Sequence, residues 1–76
     1  MQFNTDAIFA VKDLGQRYSL ARSAVYKRLG QLGILPQRRG RYAFLTQQQL
    51  ILMDDLNVFI RKGGTAMEFL RVRGLH

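Results

Sequence analysis

Apolar residues recur along this chain mostly at helical spacing, with one short stretch of strand character between. Val11, Leu14 and Tyr18 fall at i, i+3 and i+7 and predict a short amphipathic helix over about 11–18, with Tyr18 on its core side. Gly15 within it costs about 1 kcal/mol against alanine as a helix former, which makes sense where another helix crosses closely. Ser19 and Leu20 read as a tight turn. Ala21, Val25, Leu29 and Leu32 share one face of a second helix, over about 22–32, and are expected in the core. Ser23 and Lys27 point the opposite way, one turn apart, with Tyr26 beside them. Gly30 also lies outward, where it permits close approach of another backbone. Gly33 is a natural C-cap, and Pro36 bars continuation.

The segment PQRRGRYAFL then reads as a hairpin. Gln37 to Arg41 form its tip, Gly40 supplies the turn, and Tyr42, Phe44 and Leu45 have strand-like residue types. A short strand near Ile8 and Phe9 is placed to join this sheet. Thr46 and Gln49 make a T-x-x-Q capping box that opens a third helix, with Leu45 and Leu50 as a hydrophobic staple. Leu52, Met53, Leu56, Phe59 and Ile60 line one face of it, and Gly63 ends it. Thr65 and Glu68 make a second capping box for a fourth helix carrying Met67, Phe69 and Leu70, and Gly74 stops it. The expected class is mainly α, with about four short helices and a small β-hairpin.

A chain of 76 residues is long enough for one small domain over 1–76. Its 47% hydrophobic content argues against disorder. It has no cysteine, so neither a disulfide nor a thiolate metal site is available, and His76 alone cannot form a zinc site. No metal or other cofactor is expected. No apolar run approaches membrane-spanning length, and MQFNTDAIF lacks a signal-like pattern, so a cytoplasmic protein is expected.

Charge changes the picture most. Twelve basic residues against five acids give a net charge of +7, which favours a polyanionic partner, nucleic acid first. No Asp or Glu occurs from Leu14 to Met53, yet that interval holds Arg17, Arg22, Lys27, Arg28, Arg38, Arg39 and Arg41. The bias towards arginine across several elements reads as a binding face rather than a merely solvated one. A surface that meets phosphates must shed carboxylates, because each would repel the backbone and oppose counterion release.

Two short helices joined by a tight turn, the second with an outward polar and basic face, suggest a helix-turn-helix, and the basic hairpin after them suggests a wing. The residues AVKDLGQRYSLARSAVYKRLGQLGILP resemble the helix-turn-helix of the MerR-like and excisionase-like winged-helix superfamily. RYAFLTQQQLILMDDLNVFIRKGGTAMEFL continues the resemblance, with Tyr42, Thr46, Leu50, Gly63 and Thr65 at the family's aromatic-strand, cap, helix and glycine places. The match covers nearly the whole chain, and the order of its short motifs is its strongest part. The chain departs from the family at Ala10 and Ala21, where helix caps are often Ser or Thr, and at Ser19, where the turn is often glycine. The long coiled coil and effector domain of full-length MerR regulators are absent, so no small-molecule effector is inferred. The chain is either a short stand-alone member or the N-terminal fragment of something longer.

The resemblance and the residue pattern imply the same roles on double-stranded DNA. Ser23, Tyr26 and Lys27 meet the major groove, where lysine can bond guanine acceptors. Tyr26 has an alternative place against the wing. Arg22 and Arg28 grip phosphates, while Arg38, Arg39 and Arg41 lie along the backbone or enter a minor groove. Arg17 is either a phosphate contact or a solvated residue. Ile51 and Val58, seven residues apart on the third helix beside Asp54 and Asp55, read three ways. They are ordinary exposed aliphatics, packing under the fourth helix, or a homodimer or side-by-side contact on DNA, with the two acids free to meet a neighbour's wing.

The expected function is sequence-specific DNA binding in transcription regulation, in the nucleoid-associated cytoplasm. An excisionase-like recombination factor is the alternative within DNA binding, and a protein-interaction module using the basic face is the alternative outside it. An enzyme is not expected. There is no cysteine nucleophile, internal histidine or P-loop, and adjacent Asp54 and Asp55 diverge by about 100° on a helix.

Overall fold

The capping and turn residues set the element boundaries. The computed structural model describes residues 9–74. Strand β1 (Phe9–Ala10) leads into a 3-10 turn over Val11–Asp13, then α1 (Leu14–Tyr18) and α2 (Arg22–Leu32). Strands β2 (Gln37–Arg39) and β3 (Tyr42–Leu45) form the hairpin, and α3 (Gln47–Arg61) and α4 (Ala66–Arg73) complete the chain. The protein is mainly helical with a small antiparallel sheet of order β1-β3-β2. Of the expected first strand, Ile8 lies outside the described residues, as does His76.

Both capping boxes form. Thr46 Oγ1 accepts from the Gln49 N–H at 3.2 Å while Gln49 Oε1 accepts from the Thr46 N–H at 2.9 Å. Thr65 and Glu68 repeat the exchange at 3.1 and 2.9 Å. Each box satisfies two of the N–H groups that a helix start leaves without partners. Helices α2 and α4 end at Gly33 and Gly74, as expected.

The hairpin differs from expectation. Gln37 to Arg39 are a paired strand, with Gln37, Arg38 and Arg39 opposite Phe44, Ala43 and Tyr42. The tip is only Gly40 and Arg41. Gly40, at φ 64°, takes the first central position of a two-residue loop, where the turn requires positive φ. The third strand, β1, sets Phe9 opposite Leu45 and Ala10 opposite Phe44.

The core forms where the apolar faces meet. Val11, Leu14, Tyr18, Val25, Leu29, Leu45, Leu50 and Met53 are buried together, joined by Ile34 and Ala43. A second cluster holds Leu56, Ala66 and Phe69, with Leu32 and Leu52 packed against both clusters. Phe59 meets Phe69 edge-on at 5.5 Å between ring centroids. One expected core residue, Ala21, is not there. Ala21 is exposed, because it is the N-cap of α2 and its extended backbone turns it off the helix face. Met67 is 71% exposed, because α4 buries Ala66 and Phe69 instead.

Ser19 makes the turn between α1 and α2 in the left-handed conformation, at φ 58°. The Leu20 N–H closes that turn on the Gly15 carbonyl at 2.8 Å. A Cβ on Gly15 would lie 2.9 Å from the Leu20 carbonyl oxygen, so the close neighbour is the returning turn, not the crossing helix that the sequence suggested. Gly15→Ala gains about 1 kcal/mol of helix propensity and loses about 1–3 kcal/mol to a clash with backbone that cannot swing away. The net expectation is destabilisation, read as a thermal midpoint lowered by roughly 5–10 °C. A raised midpoint would show that the turn can retreat.

Candidate nucleic-acid interface

Helix α2 has a different neighbour on each side. Val25 and Leu29 point into the core. A rotation of about 100° per residue sets Arg22 and Tyr26 on one flank, Ser23, Lys27 and Gly30 outward, and Arg28 on the other flank. The flank bearing Arg22 and Tyr26 looks onto the hairpin across a groove of about 450 Å³. Arg28 turns the other way and donates from Nη1 to Asn57 Oδ1 of α3 at 2.9 Å. Ser23 and Lys27 are exposed and clear of the groove.

The hairpin supplies the facing wall. Arg38 and Arg39 leave β2 on opposite sides, as strand alternation requires. Arg38 lines the groove together with Arg41 from the turn; Arg39 does not. Two cations rest on rings beside it. Arg22 Cζ lies 5.8 Å from the Tyr26 ring centroid and Lys12 Nζ lies 4.7 Å from that of Tyr42. Tyr26 thus takes a place between its two expected ones, half-exposed on α2 and lining the groove that faces the hairpin. Lys12 and Tyr42 were not among the expected site residues. Nothing local in the sequence pairs them, since the contact spans two elements.

Among the described residues no carboxylate lines this groove. Three of the acids serve elsewhere. Arg17 donates from Nε and Nη2 to the Asp54 carboxylate at 2.9 and 2.7 Å, and the Tyr18 hydroxyl donates to Asp54 Oδ1 at 2.5 Å. Asp55 pairs with Arg73 at 3.4 Å, and Glu68 is held in its capping box. Asp54 and Asp55 were expected to face solvent, with a neighbour's wing as their possible partner. They instead tie α3 to α1 and to α4. Arg17, read as a phosphate contact or a solvated residue, has an intramolecular carboxylate. Among the described residues, neither ion pair uses a cation of α2 or the hairpin.

The Arg17–Asp54–Tyr18 cluster makes stability pH-dependent at both ends. Hydrogen bonding to Arg17 lowers the Asp54 pKa, against the opposing effect of its partial burial and with further help from the Tyr18 hydroxyl. A carboxyl depressed on folding stabilises the fold above its unfolded pKa of about 3.9, and that contribution disappears as pH falls through the folded value. Burial first, and then the hydrogen bond to Asp54, raise the Tyr18 pKa. Its contribution is full below about pH 10 and is lost as pH rises through the folded value. Asp54→Asn should therefore cost about 1 kcal/mol near neutrality, discounted for the exposure of the pair. The gap to wild type should close below about pH 4, as read by urea midpoints across pH. A gap that persists in acid would show that the cluster contributes packing rather than charge.

Ile51 and Val58 are each 50% exposed on α3 and are not packed beneath α4. Among the described residues no group of His, Cys, Asp and Glu side chains could hold a metal, and no helix is long and apolar enough to cross a membrane. Comparison with protein-family models, with curated proteins and with solved structures finds no match to this chain.

Proposed function

We propose that this chain is a winged helix-turn-helix that binds double-stranded DNA and acts in transcription regulation. The observation that supports it best is the groove between α2 and the hairpin, which among the described residues has four cations on its walls, Lys12, Arg22, Arg38 and Arg41, and no acid. In this reading α2 enters the major groove with Ser23, Tyr26 and Lys27. The hairpin is the wing, and Arg22, Arg38, Arg39 and Arg41 neutralise phosphates. Arg28, shared with Asn57, lies at the edge of the interface. Arg17 acts indirectly, by fixing α1 to α3 through Asp54. The resemblance to MerR-like proteins points the same way, and the nucleoid is where such a protein works.

One short helix reads few base pairs, so useful specificity asks for a second copy or a neighbouring protein. Ile51 and Val58 offer a contact for a second copy. Selection of bound fragments from random duplex, followed by sequencing, tests the reading. The expected result is an enriched motif. Two inverted half-sites support a dimer, and a single half-site counts against one. A footprint at a promoter favours regulation, whereas one at a recombination site favours an excisionase-like role. With about five phosphate contacts, log affinity against log salt should fall with a slope of about −4.5. No binding at low salt would sink the DNA reading and leave the basic face to an acidic protein partner.

A further inference from the structure

We infer that the groove between α2 and the hairpin holds the sugar–phosphate backbone of one DNA strand, with Lys12 and Tyr42 as binding residues outside both the reading helix and the wing arginines. The inference rests on the DNA-binding reading and identifies which part of the ligand sits here.

The chemistry of the groove matches a backbone on both its surfaces. Its floor is aliphatic, from Val11, Leu20, Val25 and Ala43, and suits the carbon face of a deoxyribose. Its walls carry cations on both sides. Lys12 and Arg22 stand on the helical wall and Arg38 and Arg41 on the hairpin wall, so a phosphate between them meets positive charge from two directions. The volume of about 450 Å³ is at the small end for a ligand site, and the groove is open rather than enclosed. An open groove suits a polymer strand passing through.

The rings favour a backbone over a base. Aromatic side chains bind single-stranded bases by offering a free face for stacking. Here a face of Tyr42 carries Lys12, and Tyr26 has Arg22 above it. The rings act as seats for the cations. A seated ammonium group has less rotamer freedom to lose when it meets a phosphate. The strand held here would set the depth and register of α2 in the adjoining groove. Backbone contacts carry no base information, so loss of Lys12 should weaken all sequences alike.

The test compares wild type with Lys12→Met, Tyr42→Leu and Lys62→Met on one duplex across a salt series, with folding checked by circular dichroism. Lys62→Met removes the same charge from an exposed position at the end of α3, outside the groove. Lys12→Met should flatten the salt slope by about 0.9 and weaken binding severalfold at low salt. Lys62→Met should keep the wild-type slope. Tyr42→Leu retains the lysine charge but loses its seat, and should weaken binding at nearly unchanged slope. Equal slopes for Lys12→Met and Lys62→Met would overturn the inference while wild-type binding keeps the DNA reading standing. Should wild type not bind duplex, both fall. Inorganic pyrophosphate should displace duplex only in large excess. Displacement at concentrations comparable to the duplex would reassign the groove to a free phosphate ligand and overturn the strand assignment.

Discussion

The Lys27→Ala, Arg38→Ala, Arg39→Ala variant is expected to stay folded and to lose duplex affinity by roughly a hundredfold to a thousandfold at low salt. The magnitude follows from three charge-assisted contacts at about 1–1.5 kcal/mol each, which sum to about 3–4 kcal/mol. The salt slope should fall by about 1.8 as the phosphate neutralisations by Arg38 and Arg39 disappear. Folding should survive because all three residues are exposed and none takes part in an ion pair among the described residues. Fluorescence anisotropy on a labelled duplex measures the loss, and a thermal melt checks the fold. A folded variant that binds like wild type would remove α2 and the hairpin from the interface. A variant that loses affinity without a change in slope would point to contacts made by groups other than these cations.

Replacing Leu45 by alanine should be the most damaging single change to stability. Leu45 is 0% exposed and contributes to three features at once. It pairs with Phe9 and so holds β1 on β3. It precedes the Thr46 cap, where with Leu50 it fixes the entry of the chain into α3. It also fills the main core beside Val11, Leu29 and Met53. A buried Leu→Ala change costs about 2–5 kcal/mol, depending on how far the site can collapse. A position bounded by a sheet and a helix start has little room to collapse, so the upper half of that range is expected. Domains of this size have total stabilities of about 4–11 kcal/mol, so the variant should be near its unfolding limit. Urea titration should show a much lower midpoint at unchanged slope. Ile51→Ala, at a half-exposed position on α3, should change stability by under about 0.5 kcal/mol. Similar losses for the two variants would contradict the division between core and surface.

Much of this architecture is local chemistry and is legible in the residues alone. Both capping boxes need only a Thr and a Gln or Glu three residues apart. The bounds of α2 follow from the apolar period and from Gly33. The hairpin is legible from its glycine and aromatics, although its tip is narrower than the residue types suggest. Strand pairing extends Gln37 to Arg39 along β3, and the polar character of those residues hides this. Ala21 points inward on the sequence pattern because periodicity gives a direction and not a covering partner. It falls on the apolar phase yet sits at a cap.

The candidate interface divides in the same way. The stretch from Leu14 to Met53 without an acid is a property of the chain, visible at once, and it marks where a polyanion would meet least repulsion. The use made of each charge is not visible there. Asp54 holds Arg17 and Tyr18 from more than thirty residues away, Asp55 holds Arg73, and Lys12 rests on Tyr42. Those partners meet only because α3 packs across α1 and α4, and because β3 brings Tyr42 back beside the 3-10 turn. By itself the sequence determined the helices, their caps and the sign of the charge on the acid-free stretch, since propensity, capping and charge act over a few residues. Tertiary structure decided which cations are paired, which remain on the groove and what the groove can hold, since ion pairing and pocket shape depend on distances that only packing sets.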